Sequence, residues 1–260
     1  MQNKKRKVLS LEMLQFEFRK VIGNPFTHIF GIGMPILLLL MISNIVIKQI
    51  AYEPAAAMAV TSIFLGISTV IPMATVFMGY GVSNAQELEK NIPQRMELFG
   101  IRQSTSLCNR VLSEGVFMIL ALGIYFVTGY VFLDIKVPTI SGALLYIICM
   151  LGLSAILFCL AHAISSLLKK FGLTYCVTMM IYFAFMIFGG MMGVSYSDMS
   201  ETMQMIARLL PVTYINKDFC SIWVGETYNF MPMFQSYLLL AAVAGILLFV
   251  AFKRGKRKLH

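Results

Sequence analysis

The stretch FTHIFGIGMPILLLLMISNIVI, residues 26–47, carries no Asp, Glu, Lys or Arg side chain. As an α-helix it would be about 33 Å long, at about 1.5 Å per residue, which is enough to cross the hydrocarbon core of a bilayer. Only helices and closed barrels satisfy their backbone in lipid, and the run lacks the alternation of apolar and polar residues that barrel strands have. The stretch therefore predicts a transmembrane helix.

Five further apolar runs of similar length follow along the chain, at about 58–83, 107–133, 142–168, 173–193 and 233–252. Only 13% of the 260 residues are charged, whereas soluble domains carry about 25%. The sequence therefore predicts an all-α integral membrane protein with six transmembrane helices, which form a single domain over residues 26–252.

The distribution of Lys and Arg predicts which ends of these helices face the cytoplasm. Because the number of spans is even, both termini lie on one side, and the segments of that side hold 17 of the 21 cations. The opposite segments hold only Lys48, Lys136, Arg208 and Lys217. Since cytoplasmic segments are rich in cations, we expect both termini and the segment at 84–110 to be cytoplasmic. The net charge of +9 then reflects topology and attraction to lipid headgroups, and we expect no nucleic-acid partner.

The segment before the first run has the pattern of an amphipathic helix. Its apolar side chains recur at helical spacing, at Leu11, Leu14, Phe18 and Val21. Such a helix lies flat at a membrane surface, as an anchor or as a lever that rests on a partner, and Gly23-Asn24-Pro25 would turn the chain into the bilayer. We expect residues 1–25 to form a cytoplasmic N-terminus with this interfacial helix, and residues 253–260 to form a basic cytoplasmic tail.

A charged segment at about 84–105, which includes AQELEKNIPQRMELFGIRQS at 85–104, joins the second and third runs. Its apolar side chains recur at helical spacing and are interrupted by Pro93; they are Leu88, Ile92, Met96 and Phe99. Charged side chains remain available for polar contacts, among them Glu87, Glu89, Arg95 and Glu97. A broken amphipathic helix held between two spans is suited to a groove on another protein, although a solvated loop would have the same composition.

A second polar segment, at about 197–226, lies between the fifth and sixth runs. Asp198 and Glu201 resemble a helix-capping pattern, and apolar residues follow at helical spacing until a proline. We expect a pair of short amphipathic helices on the extracellular side, which would either cap the bundle or form an outer gate. The candidates for such a gate are Met203, Ile206, Pro211 and Tyr214.

This layout resembles that of the type-2 ABC exporter permeases, the membrane subunits of drug, lipid and polysaccharide exporters. Four local motifs carry the resemblance: Arg19 to Pro25 followed by Pro35, the segment at 85–104, Arg110 to Glu114, and MSETMQMIARLLPVTY, which ends in Pro211-x-x-Tyr214. The resemblance covers nearly the whole chain. The chain departs from it at Asn91-Ile92-Pro93, where the family often has Gly-Thr.

The resemblance implies a permease subunit of an ABC exporter in a bacterial cell membrane, which forms the translocation pathway. It implies a cytosolic ABC ATPase that grips the segment at 84–105, a second permease subunit that is identical or related, and contact with membrane lipid. The sequence has no G-x-x-x-x-G-K-[ST] motif. We therefore expect no enzyme activity, no catalytic residue and no cofactor in this chain, with ATP and magnesium on the partner ATPase.

The second and fifth helices of the resembling family face the partner subunit across a central cavity. This makes four polar residues of these helices candidates for the pathway, namely Thr69, Thr75, Thr178 and Tyr182. Hydroxyl groups in membrane helices also serve as hydrogen-bond donors between helices, which is the competing interpretation.

An ion-gradient-driven secondary transporter is the alternative function. Such carriers place carboxylates near the bilayer midplane. Glu114 instead follows Arg110 by one turn at the cytoplasmic end of the third span, so we expect these two residues to form an ion pair at the membrane interface. The five cysteines are scattered without C-x-x-C or His pairing, which predicts no metal site.

Overall fold

A computed structural model describes residues 11–50, 52–192 and 196–256, with the side chains of residues 255 and 256 excepted. The predicted start of the cytoplasmic N-terminus, residues 1–10, and the end of the basic tail, residues 257–260, lie outside the described residues. The described part of the chain is helical without strands, and six of its helices are long and apolar enough to cross a membrane. The predicted fold, an all-α membrane protein with six spans, is confirmed.

The helices are numbered here in chain order. The six spanning helices are α2 (Pro25–Gln49), α3 (Glu53–Glu89), α5 (Gln103–Phe132), α6 (Ile140–Leu168), α7 (Phe171–Phe188) and α11 (Met231–Lys256). The shorter helices are α1 (Leu11–Ile22), α4 (Ile92–Leu98), α8 (Glu201–Ala207), α9 (Pro211–Lys217) and α10 (Phe219–Val224). Each predicted apolar run overlaps one spanning helix, and the fifth helix ends at Phe188, five residues earlier than the sequence pattern indicates.

The long helix α3 lies at the centre of the bundle. It packs against α2, α5, α6, α7, α9 and α10. Inside the protein, 89% of its most apolar stretch is buried, against 39% or less for each of the other five spans. Helix α11, by contrast, packs mainly on α6 at the periphery. The other spans therefore expose apolar faces that can contact lipid or another subunit, whereas α3 is surrounded by other helices of its own chain.

Two spans widen locally into π-helix, α2 over Ile29–Gly33 and α3 over Met73–Tyr80. The two widened segments pack against each other. Gly31 lies so close to Thr75 that a Cβ atom at position 31 would be 2.6 Å from Thr75 Cγ2. Because a π-turn holds more residues than an α-turn, it rotates the face presented by all residues that follow. In α3 those residues include the polar turn at 83–87.

Local sequence explains how the chain turns at the end that carries α1. Asn24 accepts a hydrogen bond from the Phe26 N–H at 3.1 Å, and Pro25 takes the first helical position of α2, as expected for a helix start. Asn91 adopts a left-handed conformation, with φ of 53°, between α3 and α4. Pro93 lies in the first turn of α4, where a missing N–H costs nothing. The helix break predicted at Pro93 thus falls at Lys90–Asn91, and the proline begins a helix.

The polar segment predicted at 197–226 forms three short helices, α8 to α10, instead of two. Pro211 opens α9, and Gly225, with φ of 89°, ends α10. The Asn216 side chain donates to the Gly189 carbonyl at 2.7 Å, which fixes α9 on the end of α7. The three helices therefore cover the end of the bundle opposite to α1.

Candidate functional site

Two acidic and two basic side chains meet at the end of the bundle that carries α1. They are Glu17 and Lys20 of α1, Glu87 of α3 and Arg110 of α5, and we call this cluster the polar junction. Arg110 donates from Nη1 to Glu87 Oε2 at 2.8 Å and from Nη2 to Glu87 Oε1 at 3.0 Å. Lys20 donates to Glu17 at 2.8 Å and also to Glu87. Arg110 Nε lies 3.9 Å from Glu17 Oε2.

Glu17 and Arg110 are buried, with 1% and 5% of their surfaces exposed, while Glu87 and Lys20 are half-buried. A buried charge is costly unless it is paired and hydrogen-bonded, and here two carboxylates face two cations. Arg110 Nη2 also donates to Ser83 Oγ at 2.6 Å, and the guanidinium lies 5.1 Å from the centre of the Tyr80 ring. Because each charge depends on its partners, the junction fixes α1, α3 and α5 relative to one another.

A second set of polar contacts joins the junction to α6. Asn84 accepts from Arg110 Nη1 at 3.3 Å and donates to Ser165 Oγ at 2.8 Å. One turn earlier, Tyr80 Oη and His162 Nδ1 are 2.5 Å apart. Four helices are thereby connected through polar side chains at this end of the bundle.

The ion pair predicted between Arg110 and Glu114 does not form. Among the described residues, the ion pairs of Arg110 are with Glu87 and Glu17. Glu114 is buried one turn further along α5, and its Oε2 atom has no hydrogen-bond partner within the described part of the chain. The prediction considered neighbours on one helix only, whereas the bundle brings carboxylates to Arg110 from α1 and α3.

The first part of the predicted coupling segment is turned towards the bundle. Glu87 was expected to remain available for polar contacts with a partner, but its carboxylate is occupied by Arg110 and Lys20. Leu88 is half-buried. Glu89 is exposed and accepts a hydrogen bond from the Phe171 N–H, at the start of α7, at 2.8 Å. This part of the segment therefore binds the last turn of α3 to neighbouring helices of the same chain.

The second part of the segment, α4, projects from the bundle. None of its residues is buried: Ile92 and Met96 are half-buried, while Arg95 and Glu97 are exposed. At its end, Leu98 and Phe99 expose 87% and 81% of their surfaces. Two adjacent large apolar side chains in a charged segment form a patch of the kind that marks contact with another molecule.

A cavity of about 500 Å³ opens beside the polar junction, between the turn from α1 to α2, the π-helical segment of α3 and the start of α7. Its polar rim includes Lys20, Glu87 and Lys90, and its apolar wall includes Phe30 and Tyr175. The volume falls in the usual range of ligand pockets, about 300–1,000 Å³. In the described ranges, no three His, Cys, Asp or Glu side chains lie close enough together to hold a metal ion.

The four pathway candidates are enclosed in the protein: Thr69, Thr75, Thr178 and Tyr182 have no exposed surface. Each threonine hydroxyl donates to a carbonyl of its own helix, at 2.7 to 2.8 Å. The Tyr182 hydroxyl has no hydrogen-bond partner among the described residues. An enclosed side chain does not line an open route, so these residues pack helices together in this structure. Helix α3 packs on six other helices of its own chain, and the implied position of this helix opposite a second subunit stays a prediction.

The outer-gate candidates occupy α8 and α9, at the end opposite to the polar junction. Ile206 is exposed, Met203 and Tyr214 are half-buried, and Pro211 is buried at the start of α9. Tyr214 Oη donates to the Arg208 carbonyl at 3.0 Å, which holds the two short helices together. A gating role for these residues stays a prediction.

Sequence reasoning missed Glu17 and Leu98. Glu17 follows Leu14 by three residues and precedes Val21 by four, so it lies on the apolar face of α1. An acidic residue in that phase needs a basic partner once the face is buried, and this phase is the signal that could have found it. Leu98 is out of phase with the apolar spacing of the segment, so no periodicity identified it.

The six spans and their connections define a multi-pass membrane protein. A comparison with protein-family models matches residues 10–224 to the ABC-2 type transporter family, a range that contains α1 through α10. The chain belongs to this family, and it is a permease component of an ABC transporter, that is, a transport subunit. A comparison with individual curated proteins returned no match.

Proposed function

We propose that this permease is driven by a separate cytosolic ABC ATPase that docks on α4. The observation that supports the proposal is the exposed pair Leu98 and Phe99, at the end of a helix that has no buried residues and that follows closely on the polar junction. Membership of the family implies association with an ABC ATPase. A short amphipathic helix with apolar anchors is a common ligand for a groove on a partner. ATP and magnesium bind to that partner.

The contacts of Glu87 provide a route from α4 into the membrane domain. A two-residue turn at Lys90–Asn91 joins α4 to α3, so a displacement of α4 acts on Glu87 within one helical turn. Because Glu87 is bonded to Arg110 and Lys20, α5 and α1 follow the end of α3. A switch of a two-state transporter from 1:99 to 99:1 requires about 5.5 kcal/mol of differential binding. ATP binding and release on the partner supply this free energy.

We further propose that the protein lies in the cell membrane with both termini in the cytoplasm and exports its substrate towards the end covered by α8 to α10. The excess of Lys and Arg on the side of α4 supports this orientation. Since the predicted pathway residues are enclosed within the chain, the route runs between this chain and a second permease subunit, identical or related.

Docking is tested by affinity purification of the permease from its native membrane, with the recovered ATPase measured by its activity. The variant Leu98→Asp/Phe99→Asp introduces charge at the proposed contact, and Met205→Asp, at an exposed apolar position of α8, is the matched control. Two apolar anchors of an interface contribute about 2 kcal/mol or more each, so recovery of ATPase with the double variant falls at least about tenfold. Undiminished recovery with the double variant would contradict the proposal.

An ion-gradient-driven secondary transporter is the second candidate, and Glu114 is the observation that favours it. A buried carboxylate with one oxygen unpartnered among the described residues is a common feature of proton-coupled carriers. The test is reconstitution of the purified chain alone in vesicles, with a pH gradient and no ATP. Gradient-driven uptake of an amphipathic dye that is lost in Glu114→Gln would support this candidate and overturn the ATPase-driven proposal.

A further inference from the structure

A second cavity, of about 380 Å³, lies at the end of the bundle opposite to the polar junction. It is bounded by residues that flank α8, by α9 and by the segment that leads into α11. Its aromatic and charged lining consists of Tyr196, Arg208, Tyr214, Lys217, Asp218 and Tyr228, and we call it the tyrosine–cation pocket. Its volume is within the range of about 300–1,000 Å³ that small-molecule sites occupy.

Two cations converge on Tyr196 in this pocket. Arg208 donates from Nε to Tyr196 Oη at 2.6 Å, and Lys217 Nζ lies 4.3 Å from the centre of the same ring. Tyr214 donates to the Arg208 backbone carbonyl, which helps to hold the arginine in place. Arg208 lies at the hydroxyl group of Tyr196 and Lys217 lies over its ring. Two like charges near one phenol repel each other, so an anion close to both would be stabilised.

Asp218 offsets only part of this positive charge. Its Oδ1 atom lies 4.0 Å from Lys217 Nζ, beyond hydrogen-bond distance, while Oδ2 accepts a hydrogen bond from Tyr228 Oη at 3.0 Å. Burial, with the nearby charge of Asp218, raises the pKa of Tyr228, so the phenol keeps its proton and remains a donor to Asp218. The pocket therefore combines two cations with one carboxylate that is already engaged.

Two cations in one pocket are unusual on this side of the membrane, because the sequence places few cations there. Only four of the 21 cations fall in the segments assigned to this side of the membrane, namely Lys48, Lys136, Arg208 and Lys217. Two of these four line one pocket. Because segments on this side carry few Lys and Arg residues, topology does not explain a pair of them, whereas an anionic ligand does.

We propose that the tyrosine–cation pocket binds a phosphate group. A guanidinium offers a planar fork of N–H donors that matches phosphate oxygens, and Tyr196 engages only Nε of the five N–H donors of Arg208. Lys217 adds a point charge, and the tyrosine hydroxyls offer further hydrogen bonds. The phosphate belongs either to a lipid headgroup of the adjacent leaflet or to a soluble phosphorylated compound. The proposal does not depend on how the transporter is driven.

The test measures binding to purified full-length protein in a neutral detergent, with three probes. Inorganic phosphate represents the soluble source, short-chain phosphatidylglycerol represents the lipid headgroup, and the matching diacylglycerol lacks the phosphate. The variant Arg208→Gln/Lys217→Gln removes both pocket cations, and Lys48→Gln/Lys136→Gln removes the other two cations of the same side as a matched control. Arg208→Lys keeps the charge and loses the fork, so it tests the geometry in a protein that is altered very little.

We expect the pocket double variant to weaken binding of the phosphate-bearing probe at least about tenfold, Arg208→Lys to weaken it less, and the control to change it less than about twofold. Binding of inorganic phosphate identifies a soluble source, and binding of phosphatidylglycerol without inorganic phosphate identifies a lipid. Three results would overturn the proposal: neither phosphate-bearing probe binds, diacylglycerol binds equally well, or the pocket and control variants weaken binding alike.

Discussion

Arg110 holds both carboxylate oxygens of Glu87, at 2.8 and 3.0 Å, where α3 leaves the bundle. This is a bidentate pair in a buried position, and Lys20 and Glu17 complete it from α1. Bidentate arginine–carboxylate pairs combine strength with a fixed orientation. The end of α3 is therefore held at a defined angle to α5 and α1, and the first two predictions test the partners that hold it.

Replacement of Arg110 by Gln is expected to destabilise the folded protein by about 3 kcal/mol, because Glu17 and Glu87 then share a single cation in a buried site. The matched control is Arg102→Gln, at an exposed position near the start of the same helix, with a change below about 0.5 kcal/mol. Thermal unfolding in detergent measures both. Equal stability of the two variants would show that the buried pair contributes nothing.

Glu17→Gln is expected to loosen α1 from the bundle, while Glu12→Gln is not. Glu17 is buried beside Lys20 and Arg110, whereas Glu12 is exposed on the same helix. Loss of the buried charge weakens the attachment of α1 by about 1.4 kcal/mol or more, which corresponds to about tenfold faster amide exchange through local opening. Hydrogen exchange of residues 14–22 is the measurement, and unchanged exchange in Glu17→Gln would refute the prediction.

Gly66→Ala is expected to disturb the packing of α9 on α3. A Cβ atom at position 66 would be 1.9 Å from Asn216 Oδ1 and 2.5 Å from its Cγ, so the Asn216 side chain must leave its hydrogen bond to Gly189. Overpacking of this kind costs about 1–3 kcal/mol. In the control, Gly123→Ala, the new methyl group meets no atom within 4 Å, and helix propensity raises stability by up to about 1 kcal/mol. Opposite shifts of the unfolding temperature are therefore expected, and shifts of the same sign would contradict this prediction.

Tyr80→Phe removes the hydrogen bond to His162 but keeps the ring beside Arg110. We expect a loss of about 1 kcal/mol, since a single hydrogen bond is lost and the aromatic contact persists. The control, Tyr52→Phe, changes an exposed phenol and is expected to have no effect. A loss in Tyr80→Phe as large as that in Arg110→Gln would indicate that the hydroxyl group supports the whole junction.

Hydropathy predicted the six spans because each run had to match the thickness of a bilayer, and the start of the first span at Pro25 followed from local turn chemistry. It could not predict which span the others enclose, because lipid and protein interior are equally apolar surroundings. For that reason the sequence did not predict that Thr69 and Thr178 are enclosed within the chain. The length and the composition of a helix can be predicted from the sequence, whereas the shapes of the side chains determine which helices pack against it.

The polar junction could not be predicted from the sequence for a related reason. Glu87 and Arg110 were both assigned to the same membrane face, but spacing along one helix favoured Glu114 as the partner of Arg110. The observed pairing depends on the rotation of α3, and the π-helical segment at Met73–Tyr80 sets that rotation just before Glu87. No residue pattern in that segment indicates a wider turn.

The enclosure of α3 by its own chain determines what would resist its movement. A helix surrounded by acyl chains moves in a fluid. Helix α3 is instead packed against side chains of its own protein, and its Phe64 ring, for example, stacks on Tyr125 of α5 with the ring centres 5.0 Å apart. To rotate or slide, α3 must separate these packed side chains and repack them in a new arrangement. The rate of such a conformational change would depend on how tightly the surrounding helices pack on α3, and bilayer viscosity would have little effect on it.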